Sequence, residues 1–295
     1  MAHLGLGRLT QAHAHVQVSV DVPRTAPEVP LFQHDVLQAA LRRLLYIWGV
    51  RHPASGYVQG VNDLVTPFLA VFLSEYLDGP LAEWRPETLS GAQLLAAEAD
   101  AYWCLSKLVE RCAPRHPVLQ MSVVARLGAC CAAVWCCGRR TCGELESGRA
   151  TCRVQDVYTA GQPGIQRCLQ QLDELLGRVD AGLARHFAEE GLSLLQFAFR
   201  WVNCMLLREV PFAVSTRLWD TYLAEGMQFG EFLPYVCAAF LLFWQERLRG
   251  MDFQEMILFL QKTPTGAWTH KELEMVLSHA HMLRAAFGDA QNHLT

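Results

Sequence analysis

The sequence predicts an all-α fold, and three observations lead to that prediction. Apolar residues recur at spacings of three and four along most of the 295 residues, which is the period of an amphipathic helix. No stretch alternates strictly enough, or carries enough β-branched residues, to predict a strand. The connections between the helical stretches are short and contain Gly or Pro. The absence of a fixed repeat period argues against a solenoid.

The predicted helices follow in order along the chain. Val36–Trp48 has one apolar face with two arginines opposite, and Leu94–Leu108 repeats that pattern. Ile165–Leu183 is predicted as one amphipathic helix that begins after the turn formed by residues 162–164. Five further helices are predicted over Leu194–Leu207, Val214–Leu223, Phe232–Trp244, Phe253–Leu260 and Lys271–Phe287.

The composition narrows the functional classes. Hydrophobic residues make up 52% of the chain and charged residues 18%, which is enough apolar material for a large core and argues against disorder. The net charge of -4 and the scattered placement of Lys and Arg give no basic surface for nucleic acid. We therefore expect no nucleic-acid partner.

No segment is predicted to cross a membrane. The longest apolar run, Phe232–Trp244, is too short for a bilayer and is interpreted as a buried core helix. The atypical segment over residues 1–15 lacks the cationic start and apolar run of a signal peptide. The expected location is therefore the cytoplasm, where thiols stay reduced.

Residues 112–153 do not fit the helical pattern and are interpreted as an irregular, Cys-rich insertion. A zinc module is the alternative, but the stretch has no CxxC pair and only an isolated His116, so no metal site is predicted. Seven of the eleven cysteines lie in this stretch: Cys112, Cys130, Cys131, Cys136, Cys137, Cys142 and Cys152.

Two short loops carry the polar residues of greatest interest. Arg24 directly follows Pro23, which fixes the backbone before it, and Asp21 lies three residues earlier. Gln59 lies between Gly56 and Gly60, where the backbone can turn sharply. Each residue alone is most simply a solvated loop residue, and a surface ion pair at Arg24 would contribute less than about 1 kcal/mol.

The order of several motifs adds a family resemblance. VSVDVPR at Val18–Arg24 is similar to an IxxDxxR motif, and SGYVQGVND at Ser55–Asp63 is similar to a YxQGxN motif. Later helices are matched by Phe197–Val210, Thr216–Leu223 and Pro234–Leu241. In these motifs the chain resembles the TBC domain, the fold of GTPase-activating proteins for Rab GTPases, and looks closest to the member-22 group.

The resemblance implies specific roles for the two loops. Arg24 would be an arginine finger that stabilises phosphoryl charge in a partner GTPase, and Gln59 a glutamine finger that aligns the attacking water. Asp21 would hold Arg24, while Tyr57 and Asn62 would brace the loop that carries Gln59. The supporting residues implied by the resemblance are therefore Asp21, Tyr57, Gly60 and Asn62.

Two later arginines receive a structural interpretation. Arg200 and Arg208 are expected to pair with Glu209 or Asp220 and so to join helices, rather than to contact a GTPase.

The resemblance also implies the partners. The expected partner is a Rab-family GTPase in its GTP-bound state, and that partner carries the GTP and Mg²⁺, so this chain needs no cofactor of its own. A membrane adaptor protein is a further candidate partner, and peripheral association with Golgi or other endomembranes is implied at the level of the family.

The predicted organisation departs from that family in two places. A partial TBC domain over residues 16–290 would lack the first helices of the family, and residues 112–153 would interrupt it between Arg111 and Val154. Residues 291–295 form a C-terminal tail. These departures lead to the hypothesis of a splice isoform. They also leave an alternative function open, that of a non-catalytic interaction protein or a poorly folded isoform without GTPase-activating activity.

Overall fold

The structure is a computed structural model that describes residues 14–52, 56–109, 157–158, 162–225 and 229–288. Within these ranges the regular elements are helices and there is no β-strand, so the predicted all-α class is confirmed. Helix α1 covers residues 14–21. The other α-helices are α2 (Pro30–Gln33), α3 (Asp35–Arg51), α4 (Val61–Leu64), α5 (Thr66–Leu73), α6 (Gly91–Val109), α7 (Pro163–Val179), α8 (Ala181–Glu190), α9 (Leu195–Asn203), α10 (Phe212–Ala224), α11 (Phe229–Phe243), α12 (Gln245–Leu248), α13 (Phe253–Gln261) and α14 (His270–Phe287). Three 3₁₀ helices cover Val22–Arg24, Leu81–Glu83 and Pro86–Thr88.

The predicted insertion lies outside the described residues, together with its seven cysteines and the zinc alternative. Residues 291–295 and most of residues 1–15 also lie outside them. The domain boundaries therefore stay predictions.

Local sequence signals explain why the last two long helices begin where they do. Asp252 and Glu255 form a capping box at the start of α13, because each side chain accepts a hydrogen bond from the other residue's backbone N–H. Thr269 and Glu272 form the same motif at α14. A capping box satisfies backbone donors that have no partner within the helix, so both starts are encoded locally.

The prediction of one helix over Ile165–Leu183 is wrong. The helix stops at Val179, and Asp180 leaves the helical region with φ -142° and ψ 77°. Its carboxylate accepts a hydrogen bond from the backbone N–H of Leu183 at 2.9 Å and an ion pair from Arg249 at 2.6 Å. Asp180 is thus the N-cap of α8, a role that short acidic side chains favour over a helix interior.

The predicted helix over Leu194–Leu207 is too long at its C-terminal end. The chain leaves the helix after Asn203, and both Met205 (φ 51°) and Leu206 (φ 60°) adopt the left-handed conformation. That conformation costs roughly 1–2 kcal/mol for a residue with a side chain. Both side chains are fully buried, so core packing enforces a turn that helical periodicity does not reveal.

Helix α11 forms the centre of the larger part of the core. Almost all of its residues are buried, as predicted for the apolar run, and it packs against α7, α9 and α14. Phe240 meets the Trp201 ring edge-on at 5.1 Å, and Trp244 stacks on Trp268 at 5.8 Å. Among the described residues, no helix combines the length and apolarity that a membrane span requires.

Another part of the same core carries the two loops singled out above. Helix α6 packs against both α3 and α5. Arg43 of α3 pairs with the buried carboxylate of Glu98 in α6 at 2.7 Å. Helix α1 lies against α3, with Val18 buried and His15 edge-on to Tyr46 at 5.9 Å. Three segments meet in one region: the loop after α1, the loop after α3 and the turn after α9.

Candidate functional site

The first component of the site is the Arg24 loop, residues 22–29 between α1 and α2. Its 3₁₀ helix begins with Val22, whose side chain is fully buried and anchors the loop, and continues through Pro23. Gln33 donates from its side-chain amide to the carbonyl oxygen of Thr25 at 3.0 Å. The Arg24 side chain is exposed, and its guanidinium makes no hydrogen bond or ion pair with the described residues. A fixed backbone therefore presents a cationic side chain to solvent.

The second component is the Gln59 loop, residues 56–60 before α4. Gly56 (φ 64°) and Gly60 (φ 105°) both need a backbone conformation that favours glycine. Tyr57 is buried and points into the core, whereas Gln59 is exposed. The two glycines reverse the chain tightly, so the Gln59 amide lies on the surface while its neighbours are anchored.

A buried hydrogen bond joins the two loops. The Tyr57 hydroxyl donates to the Asp21 carboxylate at 2.9 Å, and burial together with the Asp21 charge raises the pKa of Tyr57 far above its usual value. The contact expected between Asp21 and Arg24 is therefore not found. Asp21 supports the region through Tyr57, because its carboxylate faces inward at the end of α1.

Asn62 makes a second connection between the loops. Its side-chain oxygen accepts from the backbone N–H of Gly60 at 3.0 Å, and its side-chain nitrogen donates to the Thr25 hydroxyl at 2.9 Å. Thr25 in turn donates to the backbone oxygen of Asp21 at 3.1 Å. All of these groups are buried, so each contact is made away from competing water.

The C-terminal end of α9 touches the Gln59 loop directly. Asn203 donates from its side-chain nitrogen to the backbone carbonyl of Gln59 at 3.0 Å. The backbone carbonyl of Asn203 itself accepts from the buried Tyr158 hydroxyl. A Cβ atom at Gly60 would lie 2.4 Å from the Asn203 side-chain nitrogen, so only glycine permits this approach.

The turn after α9 places a charged cluster under both loops. Arg208 pairs with the buried Asp63 carboxylate at 3.0 Å, and the Cys204 thiol donates to the same carboxylate at 3.4 Å. Another nitrogen of Arg208 donates to the backbone carbonyl of Arg24 at 3.4 Å. Burial raises the pKa of Asp63 despite the opposing Arg208 charge. Burial also raises the pKa of the Cys204 thiol, and the neighbouring Asp63 adds to that effect.

The structural interpretation is correct for Arg200, whereas the predicted partner of Arg208 is wrong. Arg200 makes a two-point contact with Glu209 at 2.7 and 2.9 Å and also donates to the Gln261 carbonyl. Arg208 pairs with Asp63 rather than with Asp220 or Glu209. The unexpected turn after Asn203 redirects Arg208 toward the loops.

Sequence reasoning missed Thr25, Asp63, Asn203 and Arg208 as parts of this site. Asn203 does leave a signal, because a polar amide stands among apolar residues in the stripe FRWVNCM, and a buried amide needs hydrogen-bond partners. Its partner, 144 residues away in sequence, has no counterpart in a local pattern.

The assembled site can present an arginine and a glutamine to another molecule from backbones that a buried network fixes. The described residues contain no group of three or more His, Cys, Asp or Glu side chains placed to ligate a metal. The chemistry that these residues can offer is a fixed cation, which attracts and orients anionic oxygens, and a neutral amide that can donate and accept at once.

Comparison with known proteins assigns the chain to a family. The family model of the Rab-GTPase-TBC domain matches residues 8–122 and 150–249. The chain therefore belongs to the Rab-GTPase-TBC domain family. It is 41% identical over 278 residues to TBC1 domain family member 22B of Homo sapiens, an alignment that covers 94% of this chain and 47% of that protein.

Two further relatives support the same assignment. GTPase-activating protein gyp1 of Schizosaccharomyces pombe is 41% identical over 94% of this chain and 46% of its own length. The crystal structure of the Ypt/Rab-GAP domain of Gyp1p superposes with a TM-score of 0.76 at 39% identity, covering 94% of this chain and 74% of that one. The chain thus spans about half the length of the curated relatives that it matches.

Proposed function

We propose that this chain is a GTPase-activating protein for a Rab-type small GTPase and supplies Arg24 and Gln59 in trans. The observation that carries the proposal is the buried network of Tyr57, Asn62 and Asn203, which connects the loops bearing these two exposed side chains. Family membership and the names of the relatives support a Rab partner.

The chemistry of GTP hydrolysis needs what the two side chains offer. Negative charge develops on the phosphoryl oxygens in the transition state, and the planar guanidinium of Arg24 can donate to several of them at once. The Gln59 amide can accept from the attacking water and donate to phosphate. The partner GTPase brings GTP and Mg²⁺. Because the backbones of both loops are fixed in advance, binding restricts the two side chains but need not order the loops that carry them.

The test is single-turnover GTP hydrolysis by a panel of purified Rab GTPases with this chain and its variants. We expect one or a few of them to be accelerated, and Arg24→Ala to remove roughly 10³–10⁵ of the rate, or about 4–7 kcal/mol of transition-state stabilisation. Gln59→Ala should cost about 10²–10³, as expected for loss of one preorganised amide. Arg85→Ala, an exposed arginine beside the 3₁₀ helix Pro86–Thr88, is the matched control.

The competing function is a non-catalytic interaction protein. A cooperatively folded chain that binds GTP-loaded Rab proteins without accelerating hydrolysis would favour it, and equal activity of Arg24→Ala and wild type would also contradict the two-residue mechanism. Association with a membrane adaptor or with Golgi and other endomembranes stays a prediction, to be tested by localising the tagged full-length chain in cells.

A further inference from the structure

We infer that Asn203 is a positioning residue for Gln59, and that it acts through the backbone rather than by contact with a partner. The inference rests on the proposed function, because a position for Gln59 matters only if that amide takes part in hydrolysis. The key contact is the 3.0 Å hydrogen bond from the Asn203 side-chain nitrogen to the Gln59 carbonyl. It holds the carbonyl end of the peptide unit that joins Gln59 to Gly60.

Asn203 is anchored from its other side. It closes α9, whose Phe197 and Trp201 lie in the aromatic core, and its own carbonyl accepts from the buried Tyr158 hydroxyl. The donor that reaches Gln59 therefore comes from a helix that is packed into the buried aromatic core. An exposed side chain on a glycine-flanked loop is in this way oriented by a group in the core.

The glycine that follows Gln59 points to the same conclusion. Gly60 adopts φ 105°, and a Cβ atom there would overlap the Asn203 amide at 2.4 Å. Asn62 holds the N–H of Gly60 while Asn203 holds the carbonyl of Gln59, so the two polar groups of the single peptide unit between Gln59 and Gly60 are held from two different helices. The plane of the peptide bond that follows the Gln59 Cα is held in this way on the side where its side chain is attached.

The side-chain oxygen of Asn203 indicates that stability alone does not explain this residue. It is buried and has no hydrogen-bond partner among the described residues, an arrangement that opposes folding. A residue chosen only for packing at this place would be apolar. Of the two polar groups of the Asn203 amide, the nitrogen makes a hydrogen bond with the described residues, and its acceptor is the Gln59 carbonyl.

The experiment compares Asn203→Ala and Asn203→Leu with wild type in single-turnover hydrolysis at increasing concentrations of the chain. Both variants remove the donor, and the leucine variant keeps the same number and branching of side-chain heavy atoms in case the alanine variant folds poorly. We expect the maximal rate constant to fall about 10- to 100-fold, the range that a displacement of about 1 Å can produce. The half-saturating concentration should change less than about threefold, because an interaction made only in the transition state affects the rate and leaves binding alone.

A double-mutant cycle with Gln59→Ala separates positioning from general structural support. If Asn203 acts through Gln59, Asn203→Ala should lower the rate less than about twofold once the Gln59 amide is gone. Thr265→Val is the matched control, since Thr265 is also a buried side chain that donates to a backbone carbonyl, that of Glu209. It should lower the unfolding temperature and leave the maximal rate constant unchanged.

The outcomes distinguish this inference from the proposed function. If wild type accelerates no Rab GTPase, the proposed function fails and this inference is overturned with it. If wild type is active and sensitive to Arg24→Ala, but Asn203→Ala costs the same with and without Gln59, only the positioning role is overturned. A rate loss in Thr265→Val as large as in Asn203→Ala would likewise assign the effect to stability.

Discussion

Replacing Tyr57 by phenylalanine removes a single oxygen atom from the buried connection between the two loops. The ring remains and keeps its packing, but the Asp21 carboxylate loses the hydroxyl that donates to it at 2.9 Å. The same hydroxyl also lies 3.4 Å from the side-chain oxygen of Asn62, so this longer contact is lost as well. The substitution therefore tests the link between the loops without creating a cavity.

The expected cost follows from the chemistry of that contact. A hydrogen bond to a charged group contributes about 1.5–3 kcal/mol, and Asp21 is only 9% exposed, so water can replace the donor only in part. We expect the free energy of unfolding to fall by about 2 kcal/mol. In the same variant one of the two connections between the Arg24 and Gln59 loops is lost, while the Asn62–Thr25 hydrogen bond remains. GTPase activation should therefore fall as well.

Urea unfolding followed by tryptophan fluorescence measures the first effect, and single-turnover hydrolysis measures the second. Tyr46→Phe is the matched control, because the half-buried Tyr46 hydroxyl makes no hydrogen bond with the described residues, and its loss should change the free energy by less than about 0.5 kcal/mol. Equal stabilities for Tyr57→Phe and Tyr46→Phe would refute the reasoning that the Asp21 contact connects the loops.

Three other substitutions test separate parts of the structure. Gly60→Ala should destabilise the chain by more than about 2 kcal/mol, because it combines a left-handed alanine with a clash against Asn203; thermal unfolding would show this, and an unchanged unfolding temperature would contradict it. Gly177→Ala, on an open face of α7, should instead stabilise by about 0.5–1 kcal/mol in the same assay. Asp63→Asn should remove part of the pH dependence of stability. The pKa of Asp63 is raised above 3.8 in the folded chain, so its ionisation opposes folding. Wild type should therefore lose stability relative to the variant as pH rises from about 3.8 through the folded pKa. Parallel denaturation curves from pH 4 to 8 would reveal this slope, and a gap that widens in favour of wild type would reverse the sign.

The sequence predicted the helices well where an apolar stripe and a local start signal coincide. Phe253–Leu260 was predicted almost to its ends, because the Asp252 capping box and the apolar period mark the same residues. The helix over Ile165–Leu183 failed at Asp180, since the period continues across the break and only the carboxylate cap reveals it. Periodicity reports which face is buried, but it does not report where the backbone turns.

From local sequence patterns alone, the site was predictable only in its exposed half, whereas the buried Asp21, Tyr57 and Asn62 were named through the family motifs. Arg24 and Gln59 stand out because Pro and Gly shape their loops locally, and family motifs add their order along the chain. The buried half depends on contacts between residues far apart, such as Asp21 with Tyr57 and Arg208 with Asp63. The left-handed turn at Met205 and Leu206, which no local propensity favours, decides where Arg208 points.

The network that connects the two loops also has a kinetic consequence. A protein whose contact residues are already ordered can bind in one step, whereas a loop that must first rearrange adds a slow phase to association. Asn203 of α9 holds the Gln59 carbonyl, while Asn62 and Tyr57 hold Thr25 and Asp21. Stopped-flow mixing with a GTP-loaded Rab should therefore show a single exponential whose rate rises linearly with concentration. The rate at which the two proteins meet in the correct orientation, rather than a rearrangement of this chain, would then limit how quickly it acts on a GTP-loaded Rab.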